Sequence, residues 1–92
     1  MEQKFKEFLI SEGYSEYTPS GNPSTVYDYI KRINRIIVWE TLTWDSLKDN
    51  ISHVITVYDI GGEKEYIGRK SHNSYISALR AFKRFVGQEF HQ

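Results

Sequence analysis

Ninety-two residues, twelve basic side chains against twelve acidic ones and no cysteine leave room for one small domain and exclude a second. No disulfide or cysteine-based zinc site can staple so short a chain, so its core must come from packing, for which seven Tyr, five Phe and two Trp supply large areas at few frozen torsions. No apolar run approaches the ~20 residues that cross a bilayer, and MEQKFKEFL has acids where a signal peptide has its basic-then-apolar order, so the expectation is a soluble, cytoplasmic domain with no membrane partner.

Four helices are predicted. The first covers roughly residues 2–12, with Phe5, Phe8 and Leu9 at spacings of three and four and Gly13 placed to end it in a left-handed turn. A polar loop, YSEYTPSGNPS, follows. The second helix starts either at Asn22, with Pro23 in its first position, or one turn on at Ser24. Its apolar stripe is Val26, Tyr29, Ile30, Ile33, Ile36 and Ile37, opposite Asp28, Lys31, Arg32 and Arg35. Thr43 is a natural cap for a third helix from Trp44 to about Tyr58, with Leu47, Ile51, Val54, Ile55 and Tyr58 on one face and Asp45 in the first turn. Trp39 and Trp44 flank the joint between these helices and are expected to pack its corner.

Residues 59–70 read as a glycine-rich loop, with room for a hairpin of about two or three residues a strand. Ser71 then caps the last helix, His72 to about Val86, which turns Tyr75, Ile76, Leu79, Phe82 and Val86 to the core. Its other face, at i, i+4, i+7 and i+11, is Asn73, Ser77, Arg80 and Arg84, without an acid.

The zero net charge hides segregation. Residues 1–39 are balanced, residues 40–65 have Lys48 and Lys64 against Glu40, Asp45, Asp49, Asp59, Glu63 and Glu65, and residues 66–92 have Arg69, Lys70, Arg80, Lys83 and Arg84 against Glu89. The second and last helices thus carry matched polar and basic stripes. The loop between adds Arg69, Lys70 and His72 near a helix N-terminus, whose unpaired backbone donors suit a phosphate. Basic stripes are commonly just solvated faces, but two on one small core can also straddle a duplex, with Lys and Arg on phosphates and Asn or Arg at base edges.

The order of helices, with STVYDYIKRI opening the second and NSYISALRAFKRFV forming the last, resembles the N-terminal core-binding domain of the tyrosine recombinases, the phage-integrase type SAM-like domain. The family's T-x-x-x-Y signature is matched by Thr25 and Tyr29, and its small-Ala-Leu-Arg-x-Phe helix by Ser77, Ala78, Leu79, Arg80 and Phe82 after Asn73. The resemblance runs from about Phe5 to Val86. It implies an all-α, compact four-helix SAM-like bundle that forms half of a clamp on double-stranded DNA, with the second and fourth helices against the duplex. Thr25 would cap or touch phosphate, and Arg80 and Arg84 fall on the DNA face. Together with the residue pattern, the expected contacts are Thr25, Lys31, Arg32, Arg35, Arg69, Lys70, His72, Asn73, Ser77, Arg80, Lys83 and Arg84.

The family cuts DNA with a separate C-terminal domain bearing Arg, His and Tyr. This chain stops at Gln92, about where such a domain begins, so a non-catalytic module is expected. The acidic region 40–65 departs from a pure DNA clamp. It keeps a small protein soluble, and it also opens a second reading, a small interaction factor, such as a phage or mobile-element inhibitor of a nucleic-acid enzyme, that binds a protein. No cofactor or metal is implied, because His53, His72 and His91 are scattered. Adjacent Ser71 and His72 point apart at a helix start, and Gly61-Gly62 with Lys64 lacks the spacing of a phosphate loop.

Overall fold

The computed structural model describes residues 1–70 and 72–90, and these form five helices: α1 (Glu2–Ser11), α2 (Thr25–Trp39), α3 (Trp44–Tyr58), α4 (Glu65–Lys70) and α5 (Ser74–Glu89). The chain is therefore all-helical as expected, but the expected count of four is corrected to five, because residues 65–70 are a short helix where a loop or hairpin was predicted. No strand occurs among the described residues, and only an isolated bridge joins Tyr17 to Pro23. The physical reason lies in EYIGRK itself. Glu65 opens it and Arg69 and Lys70 close it, complementing the helix dipole, and Glu65 pairs with Arg69 one turn on.

Gly13 ends α1 as predicted. It lies at φ 95, and the Tyr14 amide donates back to the Leu9 carbonyl (3.1 Å) and the Gly13 amide to that of Ile10 (3.0 Å). Ser24 is the N-cap of α2, so Pro23 precedes the helix and joins the bridge instead. Thr43 caps α3 as expected, in a box where its side chain accepts from the Ser46 amide (3.1 Å) and the Ser46 hydroxyl accepts from the Thr43 amide (2.8 Å).

The last helix begins at Ser74 rather than His72. His72 and Asn73 both have left-handed backbone, at φ 54 and 65, because they close α4: the Asn73 amide donates to Gly68 (2.8 Å) and the His72 amide to Arg69 (3.1 Å). Asn73 thereby leaves the helical stripe and becomes the cap residue of α5. The expected cap Ser71 lies outside the described residues, as does His91.

α5 packs mainly across α2 and α3, with α1 closing one end. The core is aromatic there. Phe5 meets Phe82 edge-on at 5.3 Å between centroids, and Trp44, Phe8 and Phe90 extend the cluster around Phe85. Ala78 and Ala81 let α5 approach its neighbours closely, and both are fully buried.

Candidate nucleic-acid interface

Tyr75, in the first turn of α5, organises the basic side chains of α2. The Arg32 guanidinium lies 4.8 Å from the centre of its ring, and Arg35 Nη1 donates to its hydroxyl at 3.0 Å. These two bonds draw both arginines to the start of α5. The turn between α4 and α5 brings Lys70 and His72 to the same place, so that Arg32, Lys70, His72, Tyr66, Ser74 and Tyr75 line an open cleft of about 540 Å³. Among the described residues no carboxylate lines it. Asp28, one turn before Arg32 on α2, accepts from that side chain's Nε at 3.0 Å and leaves the rest of the guanidinium on Tyr75. Tyr66 is 62% exposed, an aromatic face beside three nitrogen-bearing side chains.

Of the twelve expected contact residues, Arg32, Lys70 and His72 share this cleft, with Arg35 joined to it through Tyr75 and Lys31 exposed one helical turn before Arg35. The others are divided. Arg69 pairs with Glu65. Arg80 reaches away from α2 to Asp59 at the end of α3, at 3.1 Å. Arg84 turns to the end of α1, donating to the Tyr14 hydroxyl (2.8 Å) and pairing with Glu12 (3.5 Å). Ser77 faces the Tyr29 hydroxyl, half-buried Thr25 opens α2, Asn73 caps α5 by its backbone, and Lys83 is exposed on the outer side of α5. The stripe Ser77, Arg80, Arg84 does lie on one side of α5, but its two arginines are held by acids at the ends of two different helices, Asp59 after α3 and Glu12 after α1.

The acidic region is likewise largely engaged from within. Asp59 and Glu65 hold Arg80 and Arg69, and Asp49 lies near Lys48. Glu40 accepts from both Tyr58 (2.9 Å) and Lys64. Burial works against its charge, yet these two donors outweigh it and hold the carboxyl below the usual carboxylate range. Burial, with the Glu40 carboxylate beside it, pushes the Tyr58 hydroxyl well up. Burial raises Tyr29 in the same way.

Sequence reasoning took Tyr75 as core and left Tyr66 in a loop. Tyr75 is indeed buried, but its hydroxyl end reaches the surface arginines, which is the ordinary behaviour of a long amphipathic ring at a helix end. Tyr66 was recoverable from the Glu65/Arg69 spacing that marks α4 as a helix. Trp44 packs the corner as expected, against Phe5 and Phe82, whereas Trp39 stacks on Tyr58 and still leaves 42% of its surface exposed.

No protein-family model, curated protein or solved structure matches this chain.

Proposed function

We propose that this domain is a non-catalytic module that binds double-stranded DNA through its phosphates, in the manner of the SAM-like core-binding domains its sequence resembles. The observation that carries the reading is the acid-free cleft at the start of α5, where Arg32 of α2 meets Lys70 and His72 of the α4–α5 turn from nearly forty residues away in sequence. Cations from two distant segments, focused around one tyrosine and flanked by Lys31 and Arg35, suit successive phosphates on a duplex backbone. The ion pairs of Arg80 and Arg84 are exposed, and such pairs are weak, so a polyanion can compete for both guanidinium groups. Zero net charge predicts modest affinity with steep salt sensitivity, strengthened when a second module is tethered.

Fluorescence anisotropy on a labelled duplex at two salt concentrations tests this. Lys70→Ala should weaken binding and lower the slope of log Kobs against log salt by about 1, whereas Lys4→Ala, at an exposed position of α1 that does not line the cleft, should change neither. Absence of binding at low salt, or equal effects of the two substitutions, rejects the reading.

A further inference from the structure

The outer face of α2 carries a second apolar surface that the fold leaves partly exposed. Val26, Ile33 and Ile36 already bury the inner stripe of this helix. On the other side, Tyr27, Ile30, Val38 and Trp39, with Asn34 between them, line a shallow groove of about 570 Å³ that Lys31 and Arg35 also border. Val38 is 73% exposed, and Trp39 presents its free edge beside it. Tyr27, Ile30, Lys31, Asn34 and Val38 thus follow i, i+3, i+4, i+7 and i+11 along the helix, the spacing by which one helix receives another, with Lys31 and Val38 exposed and the other three half-buried.

Two features of the groove define what fits it. The first is charge. Among the described residues no carboxylate lines it, Lys31 is exposed, and the acids beside it are already engaged, Asp28 by Arg32, Glu2 by the groove residue Asn34 (Nδ2, 3.1 Å) and Glu16 by Lys6 (3.6 Å). The second is rigidity. Trp39 is clamped by rings on two other helices, stacked on Tyr58 at 19° between planes and tilted against Tyr75 at 5.4 Å, so a partner meets a pre-ordered anchor. From Tyr27 to Val38 the face is ~16 Å long, enough for about three turns of helix.

We propose that this groove docks a short amphipathic helix of a protein partner whose apolar stripe is flanked by acidic residues. Aliphatic side chains at i, i+3 or i+4 and i+7 would fill the floor between Tyr27 and Trp39, while flanking carboxylates meet Lys31 and Arg35. The groove lies on α2 alone and its apolar floor is distinct from the phosphate-binding cleft; Lys31 and Arg35 border both, so the substitution that separates the two readings is Lys70→Ala, which lies outside the groove.

The test is an amide-shift titration of the whole chain with a helical peptide of about 14 residues, leucines at the spacing above and glutamates on the flanks. Shifts should concentrate on residues 27–39, with a change in Trp39 fluorescence. Replacing the glutamates with lysines should weaken binding by about tenfold or more, as should Val38→Asp or Lys31→Glu in the protein, both at exposed positions that leave the circular dichroism intact. Lys70→Ala, which weakens DNA binding, should leave the peptide affinity unchanged. The proposal is overturned by no shifts on α2 at millimolar peptide, by equal binding of the lysine peptide, or by self-association of the chain that Val38→Asp abolishes, which would assign the groove to a second copy.

Discussion

The Tyr58 hydroxyl donates to the Glu40 carboxylate at 2.9 Å, fastening the last residue of α3 to the residue that ends α2. Lys64 binds the same carboxylate from the loop before α4, so one acid ties three segments together. Because Glu40 is held below the usual carboxylate range, its contribution to stability is complete above that range and is lost as the pH falls through its lowered value. Glu40→Gln keeps an acceptor for Tyr58 but removes the charge. The variant should lose roughly 1 kcal/mol at neutral pH, and the difference from wild type should shrink below about pH 4. Urea midpoints across pH 3 to 7, roughly the span of carboxylate titration, check this, and a constant difference would refute it.

Thr41 occupies the left-handed region at φ 55, immediately after that joint, because the Leu42 amide must reach the Ile37 carbonyl (2.9 Å) to close α2. A β-branched residue is strained there, by about 1–2 kcal/mol. Thr41→Gly relieves the strain and loosens the unfolded chain, two effects of opposite sign, and should still raise stability by about 0.5–1 kcal/mol. Thermal unfolding measures it directly. A lowered melting temperature would mean that the threonine side chain holds the joint by a contact that outweighs its backbone strain.

This same helix-ending turn explains where the sequence was readable and where it was not. α1, α2 and α4 all close with a left-handed residue and paired backward hydrogen bonds, at Gly13, Thr41 and His72. Glycine announces the first, so the end of α1 was legible. Threonine and histidine announce nothing, and the end of α4 was therefore missed, which shifted the start of α5 onto His72 and placed Asn73 on a face it does not occupy. The long amphipathic helices were legible because their burial has a period near 3.6. The interface was legible only as residue types. Which arginine turns to Tyr75, which to Asp59 and which to Glu12 depends on neighbours up to seventy positions away, and no local pattern encodes that.

Two glycines outside left-handed turns should respond oppositely to alanine. A Cβ on Gly62 would come within 2.0 Å of the Thr56 carbonyl oxygen and 2.3 Å of that of Val57, both backbone atoms that cannot swing aside. Gly62→Ala should therefore destabilise by roughly 2–4 kcal/mol and disturb the passage from α3 to α4. At Gly87, inside α5, an added Cβ meets nothing within 4 Å, so Gly87→Ala should gain about 0.5–1 kcal/mol from helix propensity alone. Denaturant curves of the two variants decide both signs.

The divided arginines of α5 give a sharper test of how DNA would lie on this domain. If the duplex covers α5 as well as the cleft, Arg80 must exchange Asp59 for a phosphate, and the carboxylate left behind repels the same strand. Asp59→Asn removes both obstacles. It should tighten duplex binding by about two- to fivefold at low salt, with the gain vanishing as salt rises, and should change stability by under about 1 kcal/mol because the pair is exposed. Loss of any acid strengthens nonspecific binding a little, so Asp45→Asn, in the first turn of α3 and without a cationic partner among the described residues, is the matched control. An Asp59→Asn gain well above that control places the face of α5 against the duplex. Equal small gains confine DNA to the cleft around Tyr75, where no described carboxylate lines the wall and Asp28 holds only the Nε of Arg32.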